Sequence, residues 1–273
     1  MAAGPYRYPL AVQLTLPDGY RGDLGFGRVL ALLQRLGFSG VELNIRRPEE
    51  VDPEELKGFL ARYGLSLYYL ATGATAKAEG LSLSDPDEEH RARAVRRCRT
   101  LIEYAAHLSA GIIVGFLKGP PAPDREQAHT RMGQSLRELV ELADRRRAAV
   151  LLEATNRYES AVANTLEEAA SLVAPLGSPR LQILPDTFHM NIEESDMYAA
   201  LQRQAPHYRS LHLSDNNRLL PGLGALDFAG LIARLQRLGY RGRLALEGNI
   251  RGDLLGDLEA SMRFLAPLLR GPG

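Results

Sequence analysis

Eight times along this chain a short apolar run breaks into a polar loop and is followed by a segment with apolar residues at helical spacing. The runs are Leu10 to Leu14, Phe38 to Leu43, Leu65 to Leu70, Gly111 to Leu117, Ala148 to Glu153, Leu181 to Leu184, Tyr208 to Leu213 and Arg243 to Glu247. The helical stretches between and after them are Gly22 to Leu36, Asp52 to about Tyr63, Ser84 to Leu108, Asp124 to Arg147, Asn164 to Leu176, Glu193 to Gln202, Asp227 to Leu238 and Leu254 to Leu269. Short apolar strands alternating with amphipathic helices predict a parallel sheet covered by helices. Eight such units, with no composition shift or long linker, predict an α/β fold of the closed (β/α)₈ barrel type, a TIM barrel. The 273 residues suit one such barrel, typically about 250 residues long, so a single domain over residues 1–273 is expected. No G-x-G-x-x-G follows the first strand, which argues against an open dinucleotide-binding sheet. Ala71 to Ser84, rich in Ala, Gly, Thr and Ser without a period, reads as a loop over the barrel mouth.

Charge and cysteine usage narrow the partners. Net charge is zero, so no global field draws the chain to nucleic acid or an anionic membrane. The lone Cys98 rules out an intrachain disulfide or a Cys-based metal site and fits a reducing, cytoplasmic setting. The N-terminal residues lack a basic region followed by an apolar one. The longest apolar run, around Ala110 to Leu117, is far short of the roughly 20 residues a bilayer requires.

Four of the apolar runs deliver a polar ligand type at their C-terminal end: Glu153, Asp186, His212 and Glu247. An acid there is costly to bury unless something positive meets it. In a (β/α)₈ barrel the loops after the strands form the active face, and strands five to eight are consecutive neighbours. The four side chains can therefore converge on one divalent cation. Three carboxylates and one imidazole suit Mn²⁺, Mg²⁺ or Co²⁺. Glu159, His189 and Arg218 fall in the loops above this quartet and become candidates to grip substrate oxygens. Taken alone, His189 would read as a satisfied loop histidine, and Glu159 and Arg218 as a mutual surface ion pair.

Three segments, Glu153-Ala-Thr-Asn156-Arg157-Tyr158-Glu159, Asp186-Thr-Phe-His189-Met-Asn-Ile-Glu193-Glu194 and His212-Leu-Ser-Asp-Asn216-Asn217-Arg218, resemble the signature segments of the ketose 3-epimerases. That group includes the D-tagatose, D-allulose (psicose) and L-ribulose 3-epimerases, within the xylose isomerase-like superfamily of sugar isomerases and epimerases. Close similarity runs from Val150 to Glu247; the first half matches only in its barrel rhythm. The resemblance implies that Glu153, Asp186, His212 and Glu247 hold a divalent metal, often Mn²⁺ or Co²⁺. It also implies that Glu153 and Glu247 act as the acid/base pair, and that Glu159, His189 and Arg218 hold the O1–O3 end of a sugar. Relatives of this kind are often homodimers or homotetramers. The chain departs from the family's usual Pro-Leu with Ala154-Thr155, and carries Pro185 before Asp186.

The expected chemistry is epimerisation of a ketose at C3. The metal stabilises the enediolate; one glutamate removes a proton and the other returns one to the opposite face. Inosose dehydratase-like elimination and aldose–ketose or hydroxypyruvate isomerisation share the same first step and stay open. A Schiff-base aldolase would use Lys118, which otherwise reaches the distal end of a sugar or phosphate or points into water. An endonuclease of the same superfamily would need more metal ligands and a basic groove.

Overall fold

A computed structural model describes residues 5–270. Eight parallel strands run in chain order: β1 (Leu10–Thr15), β2 (Gly40–Asn44), β3 (Ser66–Ala71), β4 (Gly111–Val114), β5 (Val150–Glu153), β6 (Leu181–Leu184), β7 (Ser210–Leu213) and β8 (Arg243–Leu246). The hydrogen-bonded order is β6-β5-β4-β3-β2-β1-β8-β7. The last seam, between β6 and β7, is closed only near its top, by a bridge between Asp186 and His212. There the His212 N–H donates to the Pro185 carbonyl at 2.9 Å. The expected (β/α)₈ barrel is therefore present.

Among the described residues ten α-helices surround the barrel: α1 (Leu24–Arg35), α2 (Pro53–Ala61), α3 (Gly73–Glu79), α4 (Glu88–His107), α5 (Arg125–Arg146), α6 (Leu166–Val173), α7 (Thr187–Glu193), α8 (Met197–Arg203), α9 (Phe228–Arg237) and α10 (Leu254–Leu269). Every one except α3 starts on a side-chain cap, an Asp in each case but the Thr165 of α6. Each cap oxygen satisfies backbone N–H groups of the first turn that have no partner in the helix, and the Asp charge lies at the positive end of the dipole.

Two expectations are corrected. The segment from Ala71 to Ser84 is not all loop, because α3 occupies Gly73–Glu79 and closes on Gly80 in the left-handed region at φ 62°. The helix expected from Glu193 to Gln202 is instead two, α7 and α8. Asp186 starts α7 immediately, accepting from the N–H groups of Phe188 at 2.7 Å and His189 at 3.3 Å.

Two-residue periodicity sorts the strands. Leu10, Val12, Leu43, Leu70 and Ile112 face the helices in the outer core. Ala11, Ile113, Leu151, Leu184 and Ala245 point inward and pack together with Tyr68 and Tyr69. Because strand side chains alternate, the positions two further on also point inward. These are Gln13, Gly115, Glu153, Asp186 and Glu247, the ring directly above the apolar plug.

Candidate metal centre and sugar site

Glu153, Asp186, His212 and Glu247 come together as the sequence predicts. One ligand atom from each lies within 4.8 Å of all the others. Asp186 and His212 are fully buried and Glu153 nearly so, while the Glu247 side chain keeps 18% of its surface. His212 Nδ1 lies 3.5 Å from Glu153 Oε1, 3.8 Å from Asp186 Oδ2 and 2.5 Å from Glu247 Oε2. His212 Nδ1, Glu153 Oε1 and Glu247 Oε2 nevertheless have no hydrogen-bond partner. Buried polar atoms are rarely left so. Acceptor atoms from three staves face one point without a donor, and Asp186 Oδ2 from the fourth meets Arg218 there, so this group can hold a divalent cation, and its donor set fits one.

The surroundings fix the quartet. Asp186 uses Oδ1 to cap α7, which leaves Oδ2 turned to the cluster. A side chain at Gly115 would collide with the Glu153 carboxylate, so the glycine opens the space that Glu153 fills. Thr187 Oγ1 donates to the Ser214 carbonyl at 2.6 Å and accepts from the Ser214 N–H at 2.8 Å, tying the loop after β6 to the loop after β7. Asp215, fully buried, accepts from the N–H groups of Gly222, Gly224 and Leu226 and shapes the segment that carries Arg218.

Glu42 was not singled out as a site residue on sequence. It lies inside β2, fully buried, and pairs with His212 Nε2 at 2.8 Å. A carboxylate on the far nitrogen of a ligating imidazole fixes its tautomer and raises its basicity. Here it places the Nε2 proton and presents Nδ1 to the cluster. Burial alone would lower the His212 pKa, but Glu42 and Glu247 outweigh it and hold it well above the usual imidazole range. The imidazole is thus held in its protonated form among these acids.

The three residues expected to grip substrate reach the same mouth. His189, buried, accepts at Nδ1 from the Asn156 backbone N–H at 3.2 Å and from Asn156 Nδ2 at 2.8 Å. Its proton therefore sits on Nε2, 4.0 Å from Glu153 Oε1. Asn156 Nδ2 also holds Glu159 Oε1 at 3.0 Å. Arg218 does not pair with Glu159. It donates from Nη1 to Asp186 Oδ2 at 2.7 Å and from Nη2 to Glu247 Oε1 at 2.9 Å, and its guanidinium lies 4.9 Å from the centre of the Phe188 ring. Its backbone is left-handed at φ 62°, an uncommon conformation for a side-chain-bearing residue that often marks functional loops.

Lys118 is also corrected. It neither points into water nor reaches a sugar: it is fully buried and donates to the Glu153 carbonyl at 2.7 Å, Thr155 Oγ1 at 2.9 Å and the Ala163 carbonyl at 3.2 Å. Burial pushes its pKa down to about 7, against the opposing pull of Glu153, Glu159 and Glu168. Its role in this structure is to hold the loop after β5 that carries Glu159.

The quartet opens into a cavity of about 270 Å³ lined by Glu153, Glu159, His189, Arg218 and Glu247. Gln13, Asn44, Lys77 and Phe116, all from the first half of the chain, also line it. That volume lies at the lower end of ligand pockets and suits one small polar molecule.

Residues 30–268 match the xylose isomerase-like TIM barrel family. The chain belongs to that family. It is 31% identical to the D-psicose 3-epimerase of Enterocloster bolteae, over 85% of this chain and 80% of the relative. It is also 31% identical to the 3-dehydro-D-guloside 4-epimerase of Escherichia coli, over 81% of this chain and 86% of the relative. Among solved structures, the 3-keto-D-glucoside 4-epimerase of E. coli in apo form superposes with a TM-score of 0.77 at 26% identity, covering 96% of this chain and 98% of the other. An L-ribulose 3-epimerase shares the fold with a TM-score of 0.80 at 22% identity, covering 96% of this chain and 94% of the other. The chain is an isomerase-class family member, as its sequence predicts. Among the described residues no helix is long and apolar enough to cross a membrane.

Proposed function

We propose that this family member is a divalent-metal-dependent sugar epimerase that inverts the carbon next to the ketone of a small ketose, C3 in a 2-ketose. The observation that supports it most directly is the pair Glu153 and Glu247. Both line the mouth cavity, both carry a buried oxygen without a partner, and they come from staves separated by two others on the ring.

Glu153, Asp186, His212 and Glu247 would hold the cation, Mn²⁺ by preference, and Glu42 would steady His212 from behind. When bound, such a cation supplies Lewis acidity that makes the C–H beside a carbonyl easier to ionise, worth several kcal/mol. Glu247 is ionised at neutral pH: burial opposes this, but the charges of Arg218 and His212 hold its carboxyl well below the usual range. It can therefore accept the proton from one face of the sugar, forming the enediolate. Glu153, carrying a proton taken from solvent, delivers it to the other face; Glu247 returns its proton to solvent to close the cycle, and the opposite substrate epimer reverses the two roles. Both electron-pair movements stay within the substrate, so no redox partner is needed. His189 Nε2–H and Arg218 donate to sugar oxygens, and Glu159 accepts from a hydroxyl.

A second reading is inversion at C4 of a 3-keto sugar. Equal identity to a named 3-epimerase and a named 4-epimerase favours considering it, and either reaction removes a proton next to a ketone. The test is incubation with free 2-ketoses and 3-keto glycosides in D₂O, with Mn²⁺, Co²⁺, Mg²⁺ or chelator. NMR should show one deuterium per inversion, at the inverted carbon. Inversion without exchange into any substrate would sink the proton-transfer scheme; exchange at C4 alone would decide for the second reading.

A further inference from the structure

A cavity of about 690 Å³, larger than the mouth, opens at the N-terminal ends of the strands. Arg180 and Arg209 stand just before β6 and β7, Arg241 just before β8, and Arg243 begins β8; all four line it, with Gln182 and Tyr69. It lies along the seam where β6 and β7 share no ladder below the Asp186–His212 bridge.

Several arginines elsewhere are neutralised locally: Arg21 by Glu55, Arg91 by Glu88 and Glu138, Arg97 by Glu49 and Glu79, Arg157 by Glu193. None of the four in this cavity meets a carboxylate among the described residues, and no acid lines it. Arg209 donates only to backbone carbonyls of Ala205, Pro206 and Tyr208. Arg243 donates to the Tyr69 hydroxyl at 3.1 Å and lies 4.3 Å over the Tyr68 ring. Arg180 and Arg241 make no side-chain hydrogen bond or ion pair among the described residues. Gln182 Oε1 is buried without a partner.

Four like charges around one concavity repel each other, and the chemistry of such a barrel sits at the opposite face, so catalysis does not account for them. Guanidinium forks match phosphate oxygens in geometry as well as charge. We propose that this cavity is a second binding site, separate from the mouth, for a phosphorylated small molecule. The ligand's phosphate meets the arginines, and one of its hydroxyl or amino groups donates to Gln182.

The test is titration calorimetry of the full chain with pyrophosphate, a hexose phosphate and ATP at about 150 mM salt, where weak surface attraction is screened. The R180Q/R241Q variant removes two guanidiniums that hold nothing else in place, and K77Q removes the lysine at the mouth. Saturable binding of at least one phosphate compound is expected. It should weaken about tenfold or more in R180Q/R241Q and stay unchanged in K77Q, and any heat from the free hexose should be the same in R180Q/R241Q as in the unaltered chain. No binding at millimolar concentration, equal affinity in R180Q/R241Q, or loss on K77Q alone would each overturn the assignment. So would duplex DNA binding more tightly than ATP through the same two arginines. A failure of the epimerase reading would leave these outcomes unaffected.

Discussion

The two halves of the barrel ring divide the work unequally. Staves β5 to β8 carry all four ligand candidates and the three sugar-gripping candidates; β1 to β4 and their loops carry Glu42, Gln13, Asn44, Gly115, Lys77 and Phe116. The second half bears the charges that, on the proposed function, would meet metal and substrate. The first half orients one of those ligands, clears space for another and closes the wall. Replacements in the second half should therefore remove the chemistry, and those in the first should weaken metal or substrate binding.

The largest effects are expected at Glu153 and Glu247. Glu153→Gln and Glu247→Gln each keep the shape and lose a proton acceptor, so turnover should fall by about 10²–10⁴ with an unchanged circular dichroism spectrum. A near-normal rate in either variant breaks the two-base scheme, and with it the assignment of chemistry to the second half.

Metal removal comes next. Chelation should abolish turnover and lower Tm by about 5–10 °C, if the cation is bound at hundreds of times its Kd. The size of the drop should depend on pH through His212. Its pKa in the metal-free fold lies well above 6.5, so its protonated form adds stability that is fully present below about pH 6.5. That stability is lost as pH rises through the raised value. Since the same proton competes with the cation, the gap in Tm between loaded and chelated protein should widen from pH 6 to pH 9. A gap that narrows over this range means that His212 is not a ligand.

Glu42→Gln tests whether the first half reaches the chemistry only through a ligand. Loss of a carboxylate behind a ligating imidazole typically costs about 10–100-fold in metal affinity. Turnover at saturating Mn²⁺ should recover most of its value. Metal affinity measured by calorimetry and the rate at excess metal separate the two; a rate that stays low with full occupancy would place Glu42 in the reaction itself.

What the sequence disclosed follows the same division. Glu153, Asp186, His212 and Glu247 were legible because each ends an apolar run, where a polar residue has no packing reason to be. Glu42 was not, because its partner His212 lies 170 positions away and one acid inside a strand announces no role. Asp186 was read as a ligand only, so its second task as the cap of α7 was missed and the helix was placed too late. The seven residues of α3 are too short and too rich in small side chains to show an amphipathic stripe. Lys118 looked like a loop-facing charge because its three acceptors come from segments 35 to 45 residues downstream.

The smallest effect is expected at Asn44, and it gives the sharpest boundary between the halves. Its Nδ2 donates to Gln13 Oε1 at 2.8 Å and its Oδ1 accepts from the Ala74 N–H at 3.3 Å. It thus joins β1 and β2 to the first turn of α3, which carries Lys77 at the pocket rim. Asn44→Ala removes both bonds, worth about 1 kcal/mol each, and loosens the wall without touching a ligand. KM should rise about three- to tenfold while kcat and Mn²⁺ affinity stay near their original values, the pattern of lost uniform binding. Were kcat to fall as far as in the glutamate variants, the first-half wall would be part of the catalytic geometry, and the separation of roles along the ring would not hold.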